Sequence, residues 1–151
     1  MRVEIASSQT LIKPRKMEIS RLVQQLMARV VKLNPERCWD EISVAILDDD
    51  GITPVNLQYF GMTRPTDVIS LAYEPVHAEE GWVGEVIVNA ERALQEGPNR
   101  PGGWRKELAL YIAHGCDHLS GADDATPEQR RKMRRRELAW LNRIDYSNIA
   151  D

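Results

Sequence analysis

The chain has 151 residues, of which 42% are hydrophobic and 28% are charged, with a formal net charge of -3 at pH 7. A fold of this length buries roughly 70% of its unfolded surface, which predicts one domain with its own core over residues 1–151. No stretch approaches the roughly 20 apolar residues of a membrane span, and the N-terminal residues do not resemble a secretion signal. We therefore expect a cytoplasmic protein without membrane contacts, whose two distant cysteines are reduced.

Four segments show the alternation of polar and apolar residues, or the β-branched content, that is typical of strands. They cover residues 2–6, 41–47, 67–73 and 82–89. Segments with a helical spacing of apolar residues lie between and after them. This order predicts an α+β fold in which one mixed sheet of about four strands packs against about five helices.

Capping residues and glycines predict where the helices of the N-terminal half begin and end. A first helix is expected from Ser20, its N-cap, to Leu33. A second is expected to begin after Thr53 as the cap, with Pro54 at its first position and Gly61 at its exit. Both caps are polar residues that can bond the free N–H groups of a helix start.

Three further helices are predicted in the C-terminal half. Asn89 can cap a short helix, and a longer one is expected from Trp104 to Leu119, with its apolar residues on one side. Thr126 and Gln129 form the pattern of a capping box at the start of the last helix.

The last helix is strongly basic although the whole chain is weakly acidic. Between Thr126 and Arg143, seven residues are basic and two are acidic. Such a run is typical of a solvated helix face or of a contact with the phosphate backbone of a nucleic acid. The candidates for phosphate contacts are Arg130, Arg131, Arg134 and Arg135.

Two histidines four residues apart form the centre of a predicted metal site. On a helix, His114 and His118 are only about 40° apart, so both rings can reach one ion. Gly121 can adopt the left-handed conformation that ends a helix and turns the chain, which directs Asp124 back toward the same ion. Two nitrogen ligands and one oxygen ligand leave a fourth tetrahedral position open, which predicts one Zn²⁺ per chain on a helix and the turn after it.

The neighbours of the two histidines indicate the class of chemistry. Helix-borne zinc proteases have a glutamate after the first histidine as the base, and Gly115 occupies that position here, which argues against a protease. Asp117 flanks the metal face and is a candidate to serve as the base instead. Cys116 lies about 200° round the helix from His114, so we expect it to pack in the core. His77 is expected to be a solvated loop residue.

Three ordered segments match the motifs of a known family. The signature His-Gly-x-x-His-Leu-x-Gly-x-Asp-His is matched by His114, Gly115, His118, Leu119, Gly121 and Asp123. An upstream segment is matched by Asn56, Tyr59, Pro65, Thr66, Asp67, Val68 and Ser70, and residues 84–89 resemble a strand that begins Gly-Asp-Ile. On these residues the chain resembles the YbeY family of metal-dependent single-strand endoribonucleases and ribosomal RNA maturation factors, from near its N-terminus to the last helix.

Two positions depart from the pattern that this resemblance implies. The family's third ligand is histidine, and Asp124 stands in its place here, which we interpret as the exchange of one competent zinc donor for another. The family's arginine after the upstream tyrosine is replaced by Phe60. Arginine can bind a phosphate through paired donors, whereas phenylalanine can only stack on a base. Arg64, four residues on, is a candidate to act in the missing arginine's place.

The metal pattern and the resemblance together lead to a functional hypothesis. The metal pattern implies zinc chemistry. The resemblance implies a single-strand-specific endoribonuclease that acts in ribosomal RNA maturation and ribosome quality control, with RNA, the small ribosomal subunit and an Era-type GTPase as partners. Two alternatives stay open: a non-catalytic ribosome-assembly or RNA-binding factor with a structural zinc, and a zinc hydrolase of another substrate. Phe60 and Gly115 favour the non-catalytic factor, whereas the open coordination position favours an enzyme.

Overall fold

The structure of the protein is a computed structural model that describes all residues from 1 to 151. The strands are β1 (Arg2–Ser7), β2 (Trp39–Leu47), β3 (Val68–Tyr73) and β4 (Trp82–Asn89). The helices are α1 (Lys16–Leu33), α2 (Asp49–Phe60), α3 (Ala90–Glu96), α4 (Gly103–Leu119) and α5 (Pro127–Leu141), and a short 3₁₀ helix (Gly97–Asn99) follows α3. No helix among them combines the length and the apolar surface that a bilayer crossing requires.

The four strands form one mixed sheet with the order β1-β2-β4-β3. The pairs β1 with β2 and β2 with β4 are parallel, whereas the edge strand β3 runs antiparallel to β4. Parallel neighbours need crossover connections, which α1 and the segment from α2 to β3 provide. The predicted α+β fold with a four-stranded mixed sheet and five helices is confirmed.

Helices cover both faces of the sheet. Successive side chains of a strand point to opposite faces, and Ile42 and Val86 belong to the main core together with residues of α1, α3 and α4. On the opposite face, Ile87 packs with Ile69 and with Ile52 of α2 in a smaller cluster. The sheet therefore lies between α2 on one side and α1, α3 and α4 on the other.

Helix α4 lies at the centre of the molecule. Its residues Leu108, Ile112 and Leu119 are at most 1% exposed, which confirms the predicted apolar side. The helix contacts α1, α3 and α5 as well as strands β3 and β4. Because close-packed elements surround α4, the few side chains of its last turns that reach the surface are held in defined positions.

Helix α1 begins one turn earlier than predicted. Its first residue is Lys16, and its N-cap residue Arg15 makes no side-chain capping bond, so the prediction of Ser20 as the cap is wrong. The physical reason is burial: Ile19 is fully buried in the core and extends the apolar face of the helix by one turn. The predicted end at Leu33 is confirmed.

Helix α2 also begins earlier, because an aspartate and not a threonine caps it. The Asp48 carboxylate accepts a hydrogen bond from the backbone N–H of Gly51 at 2.9 Å. The Thr53 hydroxyl lies within the helix and donates to the carbonyl oxygen of Asp49 at 2.6 Å. Pro54 is likewise inside the helix, so the predicted start at these two residues is wrong.

The other predicted helix ends are confirmed. Gly61 ends α2 in the left-handed conformation with φ of 70°. The Asn89 side chain accepts hydrogen bonds from the first backbone N–H groups of α3. Thr126 and Gln129 form a complete capping box at the start of α5. Local hydrogen bonding that can be read from a few adjacent residues therefore determines these ends.

Candidate metal centre

Three predicted metal ligands converge at the end of α4. The Nε2 atoms of His114 and His118 lie 3.1 Å apart. The Asp124 Oδ2 atom lies 3.1 Å from the Nε2 of His118 and 3.5 Å from that of His114. One ligand atom from each residue falls within 4.8 Å of the other two. The structure therefore brings together all three residues that the sequence pattern proposed.

The local backbone explains why Asp124 returns to the helix. Gly121 follows the last turn of α4 with φ of 96°, a conformation that favours glycine. The Arg37 guanidinium donates to the carbonyl oxygen of Leu119 at 2.8 Å and so bonds one of the free carbonyls at the helix end. The Arg130 guanidinium donates to the carbonyl oxygen of Asp124 at 3.1 Å. One contact from a distant segment and one from the start of α5 thus hold the turn that carries Asp124.

Hydrogen bonds at the Nδ1 atoms determine the tautomers of both histidine rings. His114 Nδ1 lies 2.9 Å from an oxygen of Glu137, and His118 Nδ1 lies 3.0 Å from the carbonyl oxygen of Ala122. A carboxylate and a carbonyl only accept hydrogen bonds, so each Nδ1 carries a hydrogen and donates it. In this tautomer a neutral ring directs the lone pair of its Nε2 toward the space that the two rings share with Asp124.

This arrangement fits a bound cation. The two Nε2 atoms and the Asp124 Oδ2 atom lie 3.1 to 3.5 Å from one another, and in the tautomer with hydrogens at Nδ1 a positive ion between them offsets the repulsion of their lone pairs. Burial lowers the pKa of His114, but the hydrogen bond and charge of Glu137, with the charges of Asp124 and Asp67, raise it overall above its usual value. The negative charge that favours a proton on His114 also favours a divalent metal ion.

Glu137 belongs to the candidate site but was not predicted from the sequence. It lies on α5, is 1% exposed, and contacts His114 with both carboxylate oxygens. A carboxylate that receives the Nδ1 hydrogen of a metal-binding histidine fixes the orientation of the ring and raises its basicity. One signal was available: Met133, Glu137 and Leu141 are spaced by four and are all buried, so an acidic residue occupies the apolar stripe of a basic helix.

The structure argues against the predicted role of Asp117 as a base. Asp117 is fully buried, and its two oxygens accept hydrogen bonds from Arg136 at 2.7 and 3.3 Å. Burial and a hydrogen bond to Glu137 raise the pKa of Asp117 to about 7, against the opposing effect of Arg136. The carboxylate cannot take a proton from a molecule in the open cavity because it does not reach the surface. It joins α4 to α5 instead.

Gly115 explains why this helix has no protease-type glutamate. A Cβ atom at this position would lie 2.4 Å from Val86 Cγ1 and 3.2 Å from Val68 Cγ2. The carbonyl oxygen of Gly115 also accepts a hydrogen bond from the Ser70 hydroxyl at 2.7 Å. Position 115 therefore faces the sheet at close range, and no side chain there can reach the metal ligands.

Two cavities meet at the metal ligands. The first, of about 580 Å³, is lined by the three ligands together with Asn56, Phe60, Met62, Arg64 and residues 65–70, and is here called the aromatic cavity. The second, of about 710 Å³, shares Asp67, Val68, His114 and Asp124 with the first, and its lining includes four arginines of α5. We call it the arginine groove. Both volumes lie in the range of about 300–1,000 Å³ that is common for ligand sites.

The structure places the predicted RNA-contacting arginines and Arg64 beside the metal ligands. Arg130, Arg131, Arg134 and Arg135 are exposed and line the arginine groove, and Arg100, which the sequence analysis did not select, lines it too. Only Arg130 of the four makes a hydrogen bond within the chain, and none of them makes an ion pair. Arg64 lines the aromatic cavity, so the roles predicted for these side chains are compatible with their positions.

Two other residue predictions are settled by burial. Cys116 is fully buried, and burial raises the pKa of its thiol to about 12, so it packs in the core as expected. His77 is exposed in the loop between β3 and β4 and lines neither cavity, as expected for a solvated residue.

Proteins of known sequence resemble the chain over most of its length. A protein named Endoribonuclease YbeY from Rhodopirellula baltica is 40% identical over 107 residues, which are 68% of this chain and 53% of that protein. Proteins with the same name from Desulfitobacterium hafniense and Clostridioides difficile are 32% and 30% identical. The match to the Desulfitobacterium protein covers 82% of this chain and 83% of the relative. The match to the Clostridioides protein covers 87% of this chain and 92% of the relative.

A solved structure and a family profile also match the chain. The solution structure of TM1509 from Thermotoga maritima superposes with a TM-score of 0.58 at 22% identity, over 93% of this chain and 90% of that one. This likeness supports the fold. The profile of the family described as Endoribonuclease YbeY matches residues 4–145. Because that profile spans the sheet, the metal ligands and the last helix, the chain belongs to the YbeY endoribonuclease family.

Proposed function

We propose that the protein is a zinc-dependent endoribonuclease that cleaves single-stranded RNA during ribosomal RNA maturation and ribosome quality control in the cytoplasm. The observation that carries the proposal is the convergence of the Nε2 atoms of His114 and His118 and one carboxylate oxygen of Asp124 beside a groove of exposed arginines. Membership in the YbeY family supports the type of reaction and the class of substrate.

His114, His118 and Asp124 are the residues that would hold the metal. Two imidazoles and one carboxylate are a common donor set for zinc, and three protein ligands are typical of a zinc site with an open position. When bound there, zinc supplies Lewis acidity toward an oxygen of the scissile phosphate. Glu137 holds the His114 ring in the orientation and tautomer that this binding needs.

The arginines beside the metal centre are suited to hold an RNA backbone. Arg131, Arg134 and Arg135 are exposed and make no hydrogen bond or ion pair within the chain, so they can bond phosphate oxygens without first breaking a contact. Arg64 lies on the other side, in the aromatic cavity, where its guanidinium can offset the negative charge that develops on the reacting phosphate. We expect the small ribosomal subunit and an Era-type GTPase as partners through the family resemblance.

A non-catalytic assembly or RNA-binding factor with a structural zinc is the second candidate. The observation in its favour is that Asp117, the base expected from sequence, is buried and paired with Arg136. Position 115 also faces the sheet and offers no base. This candidate would use the same metal ligands and arginines to bind RNA without cleaving it.

A cleavage assay with metal analysis tests the proposal. Elemental analysis of the purified protein is expected to give one zinc per chain, and the zinc-loaded protein is expected to cleave a single-stranded RNA but not the corresponding duplex. The His114→Ala variant should lose both the metal and the cleavage. Tight RNA binding without cleavage by the zinc-loaded protein would support the non-catalytic factor, and neither binding nor cleavage would favour a hydrolase of another substrate.

A further inference from the structure

Phe60 has an unusual position for an aromatic side chain. It is the only phenylalanine in the chain, and it is 56% exposed. It occupies the last position of α2 and lines the aromatic cavity together with His114, His118 and Asp124. An aromatic ring that is more than half exposed gains only part of its possible burial energy within the chain, and at the wall of a cavity it provides a flat apolar surface for a bound molecule.

Hydrogen bonds hold the segment around Phe60 in place. The backbone N–H of Gly61 donates to the carbonyl oxygen of Leu57 at 3.0 Å. Asn56, which is 6% exposed, donates from its side chain to the carbonyl oxygen of Arg64 at 2.9 Å and so closes the loop after α2. Because hydrogen bonds hold the backbone on both sides of Phe60, the side chain projects into the cavity from a fixed backbone position.

The two cavities that meet at the metal ligands differ in chemistry. The aromatic cavity contains Phe60, Met62 and Val68 with a single arginine, Arg64. The arginine groove contains Arg100 and the four arginines of α5. The groove is also lined by Leu110, Leu138 and Tyr111, but Tyr111 is only 6% exposed, so its ring is not available for stacking. The two cavities therefore differ in positive charge, one arginine against five, and in exposed aromatic surface, which only the first has. His114 and Asp124 belong to both, so a strand that crosses from one cavity to the other passes the metal centre.

We propose that the aromatic cavity is a nucleobase subsite in which a base of a single-stranded RNA stacks on Phe60, on one side of the scissile phosphate only. On the other side, the arginine groove binds phosphates and makes no contact that depends on the bases. This inference rests on the proposed function and specifies its substrate: a strand with an unpaired, stackable base next to the cleaved bond. Base-aromatic stacking tolerates every base, so the subsite selects unpaired bases and not a sequence.

A comparison of two strands with equal charge tests the subsite without cleavage. One strand is a short oligouridylate with 2′-O-methyl groups, and the other has the same number of phosphates but no bases. The zinc-loaded protein is expected to bind the abasic strand about 5- to 150-fold more weakly, the range that corresponds to the loss of one stacked base. In the Phe60→Leu variant the two strands should bind with similar affinity, whereas Phe60→Trp should keep or enlarge the difference.

Two control variants distinguish loss of base stacking from a general loss of RNA affinity. Tyr73→Leu removes another exposed aromatic ring that lines neither cavity, and it should leave the difference between the strands unchanged. Arg134→Gln removes a charge from the arginine groove and should weaken both strands by the same factor. Phe60 is exposed, so thermal unfolding of Phe60→Leu should match that of the unchanged protein.

Cleavage of RNAs that carry one abasic nucleotide at successive positions tests the one-sided arrangement. Abasic positions adjacent to the cleaved bond on one side should slow cleavage, and those on the other side should not. The subsite would be overturned if the unchanged protein and Phe60→Leu both bound the abasic strand more weakly than the oligouridylate by the same factor. Metal-dependent cleavage would still support the proposed function in that case. Failure to bind either strand would overturn both.

Discussion

At the scale of single residues, the contact between Glu137 and His114 fixes the geometry of the candidate metal centre. The carboxylate is 1% exposed and lies 2.9 Å from the Nδ1 atom of the ring. A buried charge without a partner is costly, and here the histidine hydrogen and the nearby Asp117–Arg136 pair provide the surrounding polar contacts. One side chain on α5 therefore determines which nitrogen of a histidine on α4 is available to a metal.

Replacing Glu137 with glutamine should weaken metal binding and change its pH dependence. Loss of the charged partner of the ring is expected to lower zinc affinity by about 10- to 100-fold, measured by competition with a chromogenic chelator. The pKa of His114 is raised in the protein, so protons compete with the metal and affinity falls as the pH drops through that pKa. Without the charge of Glu137 this pKa is lower, so the acid-side loss should begin at a lower pH.

The matched control is Glu128→Gln, an exposed glutamate on the first turn of the same helix. It should leave both the affinity and its pH profile nearly unchanged. If Glu137→Gln and Glu128→Gln bound zinc with the same pH profile, Glu137 would have no part in positioning His114.

At the scale of elements, the close packing of α4 against the sheet determines which side chains can line the candidate metal site. Position 115 lies against Val86 of β4 and Val68 of β3 and is bonded to Ser70, so glycine is the residue that permits this distance. The close approach brings the histidine-bearing turns of α4 next to the residues before β3, which line the aromatic cavity. The same approach excludes any side chain at position 115 from the metal centre.

The variant Gly115→Ala should destabilise the fold. The added Cβ would lie 2.4 Å from the fully buried Val86, and overpacking of this kind costs about 1–3 kcal/mol. This exceeds the gain of up to about 1 kcal/mol that alanine has over glycine within a helix. The free energy of unfolding, measured by urea denaturation, is therefore expected to fall.

Gly51→Ala in α2 serves as the comparison, since the nearest atoms to its Cβ would be 3.3 Å away. This change should cost less than Gly115→Ala or increase stability through helix propensity. An equal or larger loss in Gly51→Ala would contradict the account of α4 packing against the sheet.

At the scale of the whole molecule, a weakly acidic protein presents one strongly basic surface. The net charge is -3, yet the arginines of α5 and Arg100 are concentrated in one groove beside the metal centre. Such an uneven distribution attracts a polyanion to one face while the rest of the surface repels it. On the proposed function, this groove is the face from which RNA is expected to approach the candidate metal ligands.

Binding of single-stranded RNA should depend on salt through these arginines. Each phosphate contact contributes to the slope of log K against log salt concentration, so Arg134→Gln is expected to reduce that slope by about 1. The measurement is fluorescence anisotropy at several salt concentrations. Arg21→Gln, on α1 and paired with Glu18, is the control and should leave the slope unchanged. Equal slopes for the unchanged protein and Arg134→Gln would exclude Arg134 from the RNA contact.

The sequence by itself was sufficient to predict the cluster of two histidines and one aspartate that could hold a metal ion, and most of the elements. His114, His118, Gly121 and Asp124 lie within one helix end and the turn after it, where geometry follows from helical periodicity and the backbone freedom of glycine. The same holds for the capping box at Thr126. The predicted helix starts at Ser20 and Thr53 failed because burial of Ile19 and a competing cap at Asp48 decided them.

Only the tertiary structure decided what surrounds the ligands. Nothing local distinguishes Asp117, which is buried against Arg136, from an exposed base, and nothing local assigns Glu137 to His114. Both outcomes depend on how α5 packs on α4, and the clash at position 115 depends on how α4 packs on β4. Contacts between segments far apart in the chain arise from shape and burial, which periodicity along a single element does not record.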